Sequence, residues 1–235
     1  EKVNYDDSQW RTIDLPHDIS VEDLPVQDST HIGPFFKGKD NSGDVGFLKG
    51  GTAWYRKHFT LEQKDQNKQV IINFDGIQSE AIVFINGIKI AEHKYGYTPF
   101  NLNITPYLTE AGEENIIAIK VINPENNSRW FAGFGIYRDV NLSILNPVHI
   151  NDWGVFITTS QISQKNATIK LAIQTANSVP SNKKVELKAE IIAPNKSVVK
   201  TKTKKINIPS NGMSTTNLEM TVANPILWDL ESPNL

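Results

Sequence analysis

The chain has 235 residues, 39% of them hydrophobic, a length and apolar share that suit two packed domains and exclude a disordered chain. Its 24 basic and 26 acidic side chains nearly cancel, to a formal charge of −2, which leaves no concentrated positive surface for nucleic acid. With no cysteine, disulfides, thiolate catalysis and cysteine-ligated metals are excluded; no apolar run approaches the ~18 residues that span a bilayer, so a membrane is not an expected partner either.

The chain opens on "EKVNYDDSQW", with neither a methionine nor a visible signal peptide, which reads as a processed or trimmed N-terminus. A removed leader implies a periplasmic or secreted protein, and its lack a cytoplasmic one. Short strands follow. "QVIINFDG" (69–76) is an apolar run that stops at Asp-Gly. "EAIVFINGIKIAEH" (80–93) predicts a hairpin, because Asn86-Gly87 readily supplies the two positive φ angles of a type I′ turn. "TPYL" (105–108) predicts a single helical turn, with Thr105 as N-cap and Pro106 at its first position. "NIIAIKVIN" (115–123) is apolar on both faces and suits a central strand. "GIYRDVNLSIL" (135–145) gives another strand.

Beyond "LNPVHI" (145–150) the texture changes, and the domain boundary is placed near Asn146-Pro147. Strict alternation takes over in "TIKLAI" (168–173), "KVELKAEI" (184–191) and "NLEMTV" (217–222), separated by the turn clusters "SVPSN", "APNKS" and "PSNGMS". Short alternating strands with regular turns predict an immunoglobulin-like sandwich. The lysine-rich "KTKTKK" (200–205) reads as the solvent face of a strand.

Familiar catalytic patterns are missing. No serine elbow is present, and the five histidines (17, 31, 58, 93 and 149) lack helical metal-site spacing. His17, in "DLPHDIS", is the histidine with the best claim to a role, although a turn shared with Asp18 explains it as well. The acidic pairs in "NPEN" and "AGEEN" lie in polar turns, where nothing raises a carboxyl pKa. The glycines of "KGGTAWY" and "FAGFGIY" do not form a phosphate loop. What remains is "NSRWFAGFGIYRDV" (127–140), which sets Arg129 beside Trp130. Sugars present C–H faces to aromatic rings and hydroxyls to planar donors, so this pair suits a sugar. It suits packing better still, with Trp130 in a core and Arg129 paired to a carboxylate. On the residues alone both readings stand.

Several stretches, in order, resemble the N-terminal region of glycoside hydrolase family 2, in its β-galactosidase branch. They are "YDDSQWRTIDLPHDIS" (5–20), "GGTAWYRKHFTL" (50–61), "FDGIQSEAIVFINGIKI" (74–90), "GYTPFNLNIT" (96–105), "NSRWFAGFGIYRDV" and "NPILWDLESPNL" (224–235). The resemblance implies an all-β chain. A jelly-roll, sugar-binding domain over 1–147, without its usual first strand, precedes an immunoglobulin-like sandwich over 148–235 that stops short of its last strand. It also implies that the catalytic glutamates lie in a (β/α)₈ barrel beyond this chain, against which these domains pack. The chain then contributes no catalytic residue and is inactive alone, while its parent hydrolyses O-glycosidic bonds with retention.

The resemblance further implies that the Ser-Arg-Trp turn reaches the barrel mouth, with Arg129 and Trp130 as substrate-binding residues. The chain departs from the family at Phe131 and Ala132, where Tyr-Ser is common. It also lacks an aspartate near Ser128 and an asparagine near Gly50 that touch the sugar and its metal in some relatives. No metal and no cofactor is therefore expected, and the expected partner is a β-galactoside or related glycan. A stand-alone carbohydrate-binding module and a purely structural pair of sandwiches are the competing readings.

Overall fold

The structure is a computed structural model that describes residues 2–22, 31–32, 35–37, 46–48, 50–124 and 132–234. It divides into two compact units, Glu1–Ile144 and Leu145–Leu235. The first holds a four-residue helix, α1 (Ile19–Glu22), and the strands β1 (His31–Ile32), β2 (Phe35–Lys37), β3 (Gly46–Leu48), β4 (Gly51–Thr60), β5 (Gln69–Phe74), β6 (Glu80–Ile85), β7 (Ile88–His93), β8 (Phe100–Asn103), β9 (Glu114–Asn123) and β10 (Val140–Leu145). They form sheets in the orders β1-β2-β3, β10-β5-β8 and β4-β9-β6-β7.

Alternation builds the core of this unit. Val70, Ile72 and Phe74 of β5 share one buried cluster with Ala81, Val83 and Ile85 of β6 and with Ile117, Ile119 and Val121 of β9. The larger of these side chains each contribute about 1.5–3 kcal/mol by leaving water. Ile116 and Ala118, on the opposite face of β9, are buried too. A strand apolar on both faces belongs in the middle of a sheet, and β9 lies between β4 and β6.

The predicted hairpin is present: Asn86 and Gly87 carry φ of 48° and 81°, and Ile85 faces Ile88. The Asn86 side chain also donates to the Tyr107 carbonyl (2.8 Å) and accepts from the Ile116 amide (2.8 Å), tying the turn to β9. The predicted helical turn is a 3₁₀ turn, Thr105–Tyr107, but Ile104 rather than Thr105 sits at its N-cap. Thr105 is drawn away by β5, because its hydroxyl accepts from the Val70 amide at 2.8 Å. A second departure matters more. The strand expected from 135 starts only at Val140, because residues 133–137 are engaged elsewhere.

The second unit contains β11 (Val148–Ser160), β12 (Asn166–Asn177), β13 (Lys183–Ile192), β14 (Val198–Ile208) and β15 (Gly212–Ala223), in sheets β11-β12-β15 and β13-β14. Both sheets supply its core: Leu171 and Ile173 of β12, Leu218 and Met220 of β15, Leu187 of β13, and Ile206 and Ile208 of β14. The run 200–205 is solvent-exposed, as expected. Its register adds something unforeseen. Lys204 faces Leu187, Lys202 faces Ala189 and Lys200 faces Ile191. These lysines thus lie on the face that carries Ile206 and Ile208, while Thr201 and Thr203 lie on the other. Their stems run beside apolar neighbours and their ammonium groups reach out; Lys202 Nζ donates to the Glu219 carbonyl at 2.7 Å.

The start of the described chain is held to β4 by charge. Arg56, its side chain only 3% exposed, pairs with Asp7 at 2.7 Å and donates to the carbonyls of Lys2 and Val3. His58 lies between Asp7 (3.1 Å) and Glu114 (3.2 Å). Hydrogen bonds to these two carboxylates raise its pKa above the ordinary imidazole value. A raised folded pKa stabilises below the unfolded value, near 6.5, and the effect fades as pH climbs through the folded one. In thermal melts, the Tm advantage of wild type over His58→Gln should therefore narrow as pH rises from about 5.5 to about 8.5.

Candidate functional site

Residues 132–138 form the structural centre of the first unit's candidate site. Their backbone is bound on two sides. On one, the His17 amide donates to the Ile136 carbonyl and the Ile19 amide to the Phe134 carbonyl, both at 2.7 Å. On the other, Gln78 and Gly135 exchange amide-to-carbonyl bonds, both at 2.9 Å. A short ladder of this kind saturates the backbone groups that a continuous strand would have paired. It explains the late start of β10.

The glycines make this approach possible. Gly133 and Gly135 have φ of +80° and +135°, angles that L side chains rarely adopt. At Gly135 a Cβ atom would lie 2.5 Å from Tyr55 Oη and 2.7 Å from the His17 carbonyl oxygen; at Gly133 it would lie 3.1 Å from Asp18 Oδ2. Asp18 ties the pieces together. Its Oδ1 accepts from the Ser20 amide (2.9 Å) and hydroxyl (2.5 Å), capping α1, and from the Phe134 amide (3.1 Å).

His17, buried at 4% exposure, supports the same junction. Its Nδ1 lies 2.8 Å from Tyr55 Oη, and its Nε2 lies 2.9 Å from Glu22 Oε2 and 3.1 Å from Arg11 Nη2. Arg11 also pairs with Glu22 at 3.3 Å. Burial pushes the Tyr55 phenol up to about 12, with Asp18 and Glu22 adding to the rise. Tyr55 is therefore a hydrogen-bond donor at neutral pH. Its hydroxyl is within hydrogen-bond reach of Nδ1, so Tyr55, His17 and Glu22 form one chain of contacts. This network holds a loop; both ring nitrogens are committed to neighbours within the fold. His17 and Asp18 thus act as the shared turn that the sequence allows.

Beside this junction runs a cleft of about 750 Å³, with Ile72, Ile117, Ile119 and Ile136 in its wall and Trp10 and Trp54 among its lining residues. Asp7, Arg11, Asp14, Arg56 and Lys57 line it as well, so the cleft sets an apolar wall against charged groups. A different surface flanks residues 132–138. Tyr97 Oη donates to the Ala132 carbonyl (3.3 Å) and Tyr137 Oη to the Gly96 carbonyl (3.0 Å). The Tyr97 ring meets those of Tyr95 and Tyr137 edge-on, at centroid distances of 5.8 and 6.3 Å. The Arg138 guanidinium lies 5.2 Å from the Tyr137 centroid. The sequence reading did not single out these tyrosines; the signal was "YGYTPF" (95–100), two aromatics around a glycine directly after β7.

Arg129 and Trp130, the residues expected to bind sugar, lie outside the described residues. Among the described residues, no group of three histidine, aspartate or glutamate side chains is arranged to hold a metal ion.

Fold and site together define a tandem of β-sandwich units whose first member carries a glycine-dependent junction flanked by tyrosines. Residues 43–146 match the model for the glycosyl hydrolases family 2 sugar binding domain, and residues 148–235 match that for glycosyl hydrolases family 2. The chain belongs to glycoside hydrolase family 2, and its two units are the jelly-roll and immunoglobulin-like sandwiches of that family. It is 36% identical to the β-galactosidase BoGH2A of Bacteroides ovatus, over 97% of this chain and 26% of that protein. It is 32% identical to a β-glucuronidase of Formosa agariphila, over 99% of this chain and 25% of that protein. The crystal structure of a family 2 member from Bacteroides cellulosilyticus superposes with a TM-score of 0.87 at 38% identity, over 99% of this chain and 30% of that one. The chain spans about a quarter of the length of the curated relatives it matches.

The junction is directly testable. Gly135→Ala should lower stability by about 2 kcal/mol or more, through both its backbone angle and its contacts. Tyr55→Phe, which leaves His17 Nδ1 without its hydroxyl partner, should cost about 1–3 kcal/mol. Denaturant unfolding of the two variants against wild type reads both values.

Proposed function

We propose that this chain is the sugar-facing accessory region of a retaining, β-galactosidase-like glycosidase that cleaves O-glycosidic bonds. The observation that carries the reading is the tandem of two family models over a chain that spans about a quarter of its relatives. A retaining glycosidase needs an acid/base and a nucleophilic carboxyl about 5–5.5 Å apart. In this reading both come from a barrel elsewhere in the polypeptide, against which these domains pack. The sugar-binding domain occupies 1–147 and the immunoglobulin-like domain 148–235. Relatives carry both β-galactosidase and β-glucuronidase names, and the substrate proposed here is a β-galactoside or a related glycan.

Arg129 and Trp130 help to shape the sugar pocket in this reading. Support comes from their surroundings in the chain: the residues just after them are anchored through Ala132, Gly133 and Gly135, a rigid base for a segment that must present side chains accurately. A charged hydrogen bond from Arg129 to a sugar hydroxyl or a carboxylate is worth about 1.5–3 kcal/mol. Arg129→Ala in the full-length protein should then lower kcat/KM on the aryl glycoside it turns over by about 10- to 150-fold, with Tm unchanged. Activity lost only in step with folded protein would return the pair to packing. The 235-residue chain alone should turn over no aryl galactoside or glucuronide. A sub-micromolar Kd of this chain for galactose would instead favour a stand-alone carbohydrate-binding module.

A further inference from the structure

The outer face of the sheet β11-β12-β15 carries an aromatic ring among polar side chains. Phe156, in β11, is 68% exposed. A lone exposed apolar side chain needs no explanation, but this one borders a shallow depression of about 360 Å³. The register of the sheet lays out its floor. Phe156 faces Ala172 of β12, which faces Asn217 of β15; in the next row Thr158 faces Lys170, which faces Glu219. These six share one face, because Leu171 and Leu218, which alternate with them, bury their side chains in the core on the other. Phe156 and Asn217 thus stand two strands apart, about 10 Å, with the small Ala172 between them.

A further lining residue comes from the other sheet of the unit. Lys202 of β14 is fixed at the depression by donating through Nζ to the Glu219 carbonyl at 2.7 Å. An ammonium has three N–H groups, so two remain for a ligand. With the Lys170 ammonium, the Asn217 amide, the Thr158 hydroxyl and the Glu219 carboxylate, the depression sets donors and acceptors around one aromatic ring. Hydroxyls both donate and accept, so a polyol matches that mixture, and the C–H face of a pyranose matches the ring. The Glu219 carboxylate counts against a phosphate backbone. A protein partner is better served by the opposite face of β11, where Val155 and Ile157, 44% and 57% exposed, face Ile173 and Leu171 of the core strand β12.

We infer that this depression is a surface site for a pyranose unit of a glycan chain, stacked on Phe156 and hydrogen-bonded by Asn217, Lys170 and Lys202. The second unit carries it entirely, so it stands whether or not Arg129 and Trp130 shape a sugar pocket. A shallow site holds a single sugar weakly. A polymer, whose repeats raise the local concentration of sugar, is the ligand it suits.

The test uses the full-length protein in native affinity electrophoresis, through gels that contain β-1,4-galactan, β-1,4-glucuronan or β-1,4-mannan. At least one polymer should retard the wild type. Phe156→Ala should weaken that interaction at least about fivefold, and Asn217→Ala and Lys170→Ala at least about twofold each. Phe156→Tyr, which keeps the ring, should retain most of it. All four side-chain changes should leave kcat/KM on an aryl monosaccharide at the wild-type value, which shows that the variants are folded. Retardation by none of the three polymers would overturn the proposal. So would wild-type retardation of Phe156→Ala, or of Asn217→Ala and Lys170→Ala together. A change in sedimentation coefficient on Phe156→Ala would assign the face to a protein contact and overturn it as well. Absent turnover of aryl glycosides by a wild type that is still retarded through Phe156 would sink the glycosidase reading and leave this site.

Discussion

Gly135 occupies a place where no side chain fits. Tyr55 presses from one direction and the His17 carbonyl from another, while Gln78 is bonded to its backbone. That crowding is what lets three remote stretches, around residues 17, 78 and 135, share one set of backbone hydrogen bonds. Remove the close approach and the His17 and Ile19 amides, together with both backbone groups of Gln78, lose their partners. Buried amides and carbonyls without partners are costly, so the junction is favoured as a unit. The Asp18 cap, the Tyr55–His17–Glu22 chain and the tyrosines that reach Ala132 and Gly96 all depend on it.

A ligand-binding segment gains from such a base. Side chains that act on a ligand need to be positioned to within a fraction of an ångström, and a loop anchored only by its own turns does not achieve that. Here the segment that carries Arg129 and Trp130 is preceded by β9, the central strand of the four-stranded sheet, and followed by the doubly bonded 133–136. The family assignment and this support are independent observations, one of sequence matches and one of hydrogen bonds.

Legibility in the sequence followed the range of the forces involved. The Asn86-Gly87 hairpin was readable because two adjacent residues decide its backbone angles. β9 and the alternating strands of the second unit were readable because burial imprints a period of two. The late start of β10 was not, because its cause lies with residues 17 and 78, far away in sequence. Thr105 was assigned a cap that a neighbouring strand overrode by claiming its hydroxyl. His17 and Tyr55 are 38 positions apart, and nothing in either segment announces the other. The tyrosine cluster was legible only in part. "YGY" marks a tight aromatic turn, but its contact with Ala132 and Tyr137 is a product of the fold. Arg129 and Trp130 rest on resemblance in the sequence and lie outside the described residues.

The lysines on the inner face of β14 have a further consequence. Among the described residues the two-stranded sheet β13-β14 has two open edges, and open edges invite strands from other molecules. A foreign strand added beside β14 would have to lay its own inner face next to Lys200, Lys202 and Lys204. Stripping water from those ammonium groups opposes the gain from a ladder of neutral hydrogen bonds. The charges sit toward the start of β14, beyond the buried Ile206 and Ile208, so they spare the core while guarding the hairpin. The same residues that look like a weakness in the sandwich would therefore keep it from joining its neighbours into fibres.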